Sequence, residues 1–89
     1  MSTRVFVGNL DYSVSDQYLA AVFRGCEGFE SAHAINNRTG RAFGFGYVDF
    51  ENRILAEKAA AAFDGFSLLG RRLRVRLARR RSGRRRRLA

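Results

Sequence analysis

The sequence predicts an α+β domain in which two helices cover one face of an antiparallel β-sheet. Three observations predict it. Six segments carry regular hydrophobic patterns, in the order strand, helix, strand, strand, helix, strand. Each helix has an apolar stripe to bury, and one sheet face can take both, which leaves the other face to solvent. The chain has 89 residues, the size of a single domain.

In the first segment, Arg4 to Leu10, the residues Val5, Phe6 and Val7 read as a strand, and Gly8 within it suggests a close backbone approach. Asp11-Tyr12-Ser13 is a turn. Ser13 or Ser15 can cap a helix over residues 15–24, where Asp16 suits the positive first turn and Tyr18, Leu19, Val22 and Phe23 recur at helical spacing. Gly25 is expected as its left-handed stop. Phe29 to Asn36 reads as an edge strand, with Ala32 and Ala34 on one face and His33 and Ile35 on the other. Asn37 to Gly40 is a loop by composition. Phe43 to Phe50 is a strand rich in aromatic residues. Asn52 caps the second helix, whose expected apolar face is Leu55, Ala56, Ala59, Ala62 and Phe63, and Asp64-Gly65 ends it. Leu68 and Leu69 precede a turn at Gly70. Leu73, Val75 and Leu77 then alternate with Arg72, Arg74 and Arg76 in a half-buried strand. This order is the split β-α-β, ferredoxin-like arrangement. The folded part is expected over residues 3–78. Residues 79–89, arginine without periodicity, are expected to be a disordered tail.

Charge is distributed unevenly. All eight acidic residues fall in residues 1–70, against six basic ones, while the other 11 basic residues, all arginine, fall in 71–89. A nearly neutral body with a polycationic end points to a polyanionic partner. Cys26 is the one cysteine, so it forms no internal disulfide and is expected to pack as a small apolar residue. No apolar run approaches a membrane span, and the opening residues turn polar too early for a signal peptide. A membrane partner is not expected.

Alternation sorts the side chains of the strands onto faces. Val5 and Val7 point toward the helices and Phe6 points away. Val48 and Phe50 share a face with Gly46, whereas Phe43, Phe45, Tyr47 and Asp49 take the other. Exposed rings are a poor surface for a protein that has only to stay soluble. A flat aromatic platform suits stacking on unpaired bases, at about 1–3 kcal/mol per base.

These residues bring a family into view. Val5-Phe6-Val7-Gly8-Asn9-Leu10 resembles the hexamer signature of the RNA recognition motif, and Phe43-Gly44-Phe45-Gly46-Tyr47-Val48-Asp49-Phe50 resembles its octamer signature. The resemblance runs from about Thr3 to Ala78 and takes in Ala56-Glu57-Lys58-Ala59 and Gly70-Arg71-Arg72-Leu73-Arg74-Val75. It implies a four-stranded sheet of order 4-1-3-2 with both signatures on the central pair. It further implies that Phe6 and Tyr47 stack on neighbouring bases and that Phe45 wedges against the sugars between them. Asn9 stands where the family pattern has asparagine. The octamer usually begins with arginine or lysine, which would contact a phosphate, and here that place holds Phe43. Either Arg41, two residues earlier, replaces the charge, or Phe43 extends the platform by one ring; the second reading is preferred.

Arg74 and Arg76 alternate with core residues and are expected to flank Phe6, where arginine can stack on bases and pair with phosphates. A charged, protected edge strand is the plainer reading. The run that begins Arg79-Arg80-Arg81 can grip phosphates, serve as a nuclear import address, or be a solvated tail, and the first two can coexist.

Residues that look catalytic lack partners. His33 is the only histidine, so no histidine-based metal cluster or nucleophile pair follows. Gly44-Phe45-Gly46 begins like a dinucleotide fingerprint, but Asp49 stands where the third glycine should be and no helix follows. The expected function is single-stranded RNA binding in messenger RNA processing or stability, without enzymatic activity, cofactor or metal. A nuclear monomer is expected, with shuttling to the cytoplasm and protein partners in ribonucleoprotein complexes. Single-stranded DNA stacks equally well and stays open as a ligand. The competing reading is a protein-interaction module on the same fold, with the tail as import signal.

Overall fold

A computed structural model of the chain describes residues 2–11, 13–35 and 44–78. Within them the elements are β1 (Thr3–Leu10), α1 (Asp16–Phe23), β2 (Phe29–Ile35), β3 (Gly44–Phe50), α2 (Arg53–Phe63), β4 (Ser67–Leu68), β5 (Arg71–Arg72) and β6 (Arg74–Leu77). The main sheet has the order β2-β3-β1-β6, all neighbours antiparallel. Counted over the four principal strands this is the expected 4-1-3-2. The loop at 37–40, Arg41, Phe43 and the tail from Arg79 lie outside the described residues.

The helix caps follow the sequence signals. Of the two candidate serines, Ser15 is the N-cap of α1, accepting from the Tyr18 amide at 3.1 Å. Asn52 caps α2 by accepting from the Leu55 amide at 2.9 Å. Each cap satisfies one backbone N–H that has no partner within the helix. The Asp16 carboxylate also accepts from the Ala34 amide at 2.6 Å, tying the start of α1 to β2.

The core lies between the helices and one sheet face. Val5, Val7, Leu19, Phe23, Val48, Phe50 and Ala56 have no solvent exposure. Phe23 packs between Phe63, tilted at 4.6 Å between ring centres, and Phe50, edge-on at 6.5 Å. Gly46 faces this core. A Cβ built there would stand 2.6 Å from the His33 carbonyl oxygen and 2.8 Å from Leu19. The absent side chain is what lets α1 and the β2 backbone approach β3 so closely. Cys26 is half-buried against the core, and its burial pushes the thiol pKa up, so it packs as a neutral thiol.

Three expectations are corrected. Gly25 is not left-handed: α1 ends on Arg24 in helical geometry, and the positive φ of +82° falls on Gly28, where a Cβ would meet Leu55. Ala62 is exposed, and Ala60 is buried in its place, because the stripe follows residues 56, 59, 60 and 63. Tyr18 is 37% exposed and does not join the core, unlike Phe23. The segment before β6 also forms a small hairpin, β4–β5, turned by Leu69 and Gly70 with φ of 53° and 80°. Positive φ at both central residues is the type I′ pattern that matches strand twist.

Candidate nucleic-acid interface

The face of the sheet away from the helices carries a grid set by strand register. Across its middle run Arg76, Phe6, Tyr47 and His33, paired in that order from β6 to β2. One step along, Arg74 pairs with Gly8, and Phe45 pairs with Ile35. On the other side, Arg4 pairs with Asp49, which pairs with Ser31.

Phe6, Phe45 and Tyr47 form a triangle with ring centres 5.8–6.0 Å apart. Contacts between Phe6 and Tyr47 and between Phe45 and Tyr47 are edge-on, and Phe6 and Phe45 are tilted by 32°. Edge-on and tilted packing within this distance range is the favourable arrangement for aromatic quadrupoles. Each ring is half-buried, supported by its neighbours and the sheet beneath. The Phe6 ring lies back over Gly8, where a Cβ would stand 2.8 Å from Cε2. The glycine in β1 therefore makes room for the ring on the open face.

Arg74 and Arg76 are exposed and on the Phe6 face, as their alternation with Val75 predicts. Asn9 is at a β-bulge: Val7 pairs with Gly46, and the next pair is Leu10 with Gly44, so β1 holds one extra residue. Asn9 adopts φ 64°, a left-handed conformation that asparagine tolerates. Its side-chain amide donates to the Arg72 carbonyl at 2.9 Å, and its side-chain oxygen accepts from Arg71 Nη2 at 2.8 Å. It therefore ties the end of β1 to the hairpin. The bulge also turns Leu10 into the core, where it is 2% exposed.

Asp49 is on the open face and is held by two partners. Arg4 donates from Nε to Oδ1 at 2.9 Å and from Nη2 to Oδ2 at 3.3 Å, and the Ser31 hydroxyl donates to Oδ2 at 3.3 Å. The Arg4 guanidinium also stands over the Tyr47 ring, its Cζ 5.1 Å from the centroid. The carboxylate beside it raises the Arg4 pKa. Arg4 is a residue of this face that reading the sequence did not single out. It shares strand parity with Phe6, which was the available signal, but it precedes the aromatic signature by one position. Arg41, Phe43, Arg79, Arg80 and Arg81 lie outside the described residues.

Among the described residues no group of histidine, cysteine, aspartate and glutamate is arranged to hold a metal ion, and no helix is long and apolar enough to cross a membrane.

Comparison with known proteins fits this geometry. Residues 5–74 match the family model of the RNA recognition motif. The chain is 43% identical over 68 residues to the nuclear localization sequence-binding protein of Saccharomyces cerevisiae, covering 75% of this chain and 16% of that protein. It is 40% identical over 83 residues to the mitochondrial glycine-rich RNA-binding protein 4 of Arabidopsis thaliana, covering 92% of this chain and 61% of the relative. It thus spans only part of the length of these relatives. The crystal structure of the second RRM domain of the yeast poly(U)-binding protein superposes with a TM-score of 0.78 at 32% identity, covering 88% of this chain and 95% of that one. With β1 and β3 adjacent at the centre of the sheet and Phe6, Phe45 and Tyr47 gathered on the face opposite the helices, the chain belongs to the RNA recognition motif family.

Proposed function

We propose that residues 3–78 bind single-stranded RNA across the open sheet face. Bases stack on Phe6 and Tyr47, and Phe45 packs against the sugars between them. The observation that carries this reading is the triangle of three half-exposed rings on a face that neither helix covers. Arg74 and Arg76 border the triangle on the β6 side and supply phosphate contacts or stacking. Arg79, Arg80 and Arg81 add sequence-tolerant phosphate contacts, and Phe43 adds a further ring for stacking, in preference to Arg41 supplying a phosphate contact in its place. The Arabidopsis relative is named as an RNA-binding protein, which supports RNA as the polymer. We assign the activity to messenger RNA processing or stability, and its place to the nucleus on the strength of the arginine run as an import address. The Arabidopsis relative is itself named as mitochondrial.

The test is fluorescence anisotropy with a labelled single-stranded RNA. Phe6→Ala and Tyr47→Ala should each weaken binding by about 1–3 kcal/mol, roughly fivefold to 150-fold, with the fold intact by circular dichroism. Unchanged affinity in both variants would overturn the stacking reading and move binding to the polycationic end.

A further inference from the structure

The Arg4–Asp49 pair has a feature that stacking alone does not use. Asp49 engages Arg4 side-on, through Nε and Nη2. The outer edge of the guanidinium, with one N–H from Nη1 and one from Nη2 pointing the same way, is left as a two-donor fork. Among the described residues nothing occupies it, and the Arg4 side chain is 52% exposed. Its partner Asp49 is only 17% exposed and is held on its other side by Ser31. The fork is therefore anchored and not free to wander.

Its position relative to Tyr47 gives it a use. A plane stacked on a ring stands about 3.5 Å above it, and the Arg4 Cζ lies 5.1 Å from the ring centre. The guanidinium over Tyr47 is thus farther from the ring centre than a stacked plane would be, and a base bound at Tyr47 comes within reach of the fork. Guanine presents two adjacent acceptors, O6 and N7, to paired donors. Adenine presents one acceptor and an amino donor, cytosine an amino donor, and uracil a single carbonyl. Unpaired bases expose this edge.

We propose that Arg4, positioned by Asp49, is a specificity-determining residue that selects guanine at the base stacked on Tyr47. The inference rests on the stacking reading above. Phosphate oxygens also match a two-donor fork, and the experiment separates the two.

The test measures binding of the full chain to a set of short uridine-rich RNAs in which one position holds guanine, 7-deazaguanine, adenine, cytosine or uridine. Guanine should bind roughly tenfold more tightly than the others, and 7-deazaguanine, which lacks N7, should lose most of that gain. Arg4→Lys keeps the charge but not the fork, so it should erase the guanine preference while largely retaining affinity for the all-uridine RNA. Asp49→Asn should shrink the preference by loosening the fork. Equal affinity for all five RNAs in the unmodified protein, or a preference that survives Arg4→Lys, would overturn the proposal. So would a uniform loss across the set in Arg4→Ala with no preference to lose, the signature of a phosphate contact. Tyr47→Ala is the control: if it leaves binding unchanged, the stacking reading fails as well; if it weakens binding to all five while the bases are not distinguished, this proposal alone fails.

Discussion

The two faces of the central strands carry side chains of similar chemistry under opposite conditions. On one, Val5, Val7, Val48 and Phe50 are wholly buried beneath α1 and α2. On the other, Phe6, Phe45 and Tyr47 are half-exposed and lean on one another. The residues come from the same two strands, one position apart. Water is excluded from the first set by helices and from the second only in part, by neighbouring rings. Apolar area left in contact with water forgoes about 25 cal/mol per Å². Three adjacent rings in that state mark a surface built to be covered by something else.

If that division is right, substitutions on the two faces should separate stability from binding. The largest expected effect is on the buried side. Phe50→Ala removes a ring that touches both Phe23 and Phe29 and should cost about 3–5 kcal/mol of stability, read by urea denaturation. The second comparison uses the two glycines. At Gly46, an added methyl meets the His33 carbonyl oxygen, part of the β2 backbone, at 2.6 Å. Gly46→Ala should destabilise by about 1–3 kcal/mol through overpacking. At Gly8, the methyl meets mainly the far end of the Phe6 ring, which can swing. Gly8→Ala should cost less than about 1 kcal/mol of stability and show itself instead as weaker RNA binding, because the displaced ring is part of the platform. Equal destabilisation at both glycines would break the comparison. The smallest effect is expected at Arg76, opposite Phe6. Arg76→Ala should leave the melting temperature nearly unchanged and lower the slope of log K against log salt by about 0.7 if it neutralises one phosphate.

Most of the division was legible in the sequence. Period-two alternation assigned Val5, Phe6, Val7, Phe45, Tyr47, Val48 and Phe50 to their faces, because strand geometry leaves no third direction. His33 and Ile35 likewise emerge on the side expected. Alternation says nothing about a bulge, so the turn of Asn9 into a left-handed conformation and of Leu10 into the core was not readable. The signal there was asparagine after glycine, which is compatible with an unbroken strand end. The β4–β5 hairpin has two residues per strand, too few for a period, and its turn depends on Leu69 taking a conformation that leucine rarely adopts. Gly25 and Gly28 are both near the end of α1, and which one turns left-handed depends on the approach of Leu55 from α2, a contact between distant parts of the chain. The Arg4 fork was missed for a similar reason. Its role arises from a partner 45 residues away and from the ring of Tyr47.

The division between faces is most directly tested by nuclear magnetic resonance of the full chain, titrated with a short uridine-rich RNA. Ring protons of Phe6, Phe45 and Tyr47 should shift strongly as bases stack on them, while the methyl groups of Val5, Val7 and Val48, directly beneath in the same strands, should stay nearly still. Shifts concentrated on α1 and α2, or confined to the arginines beyond Ala78 with the three rings unmoved, would contradict it.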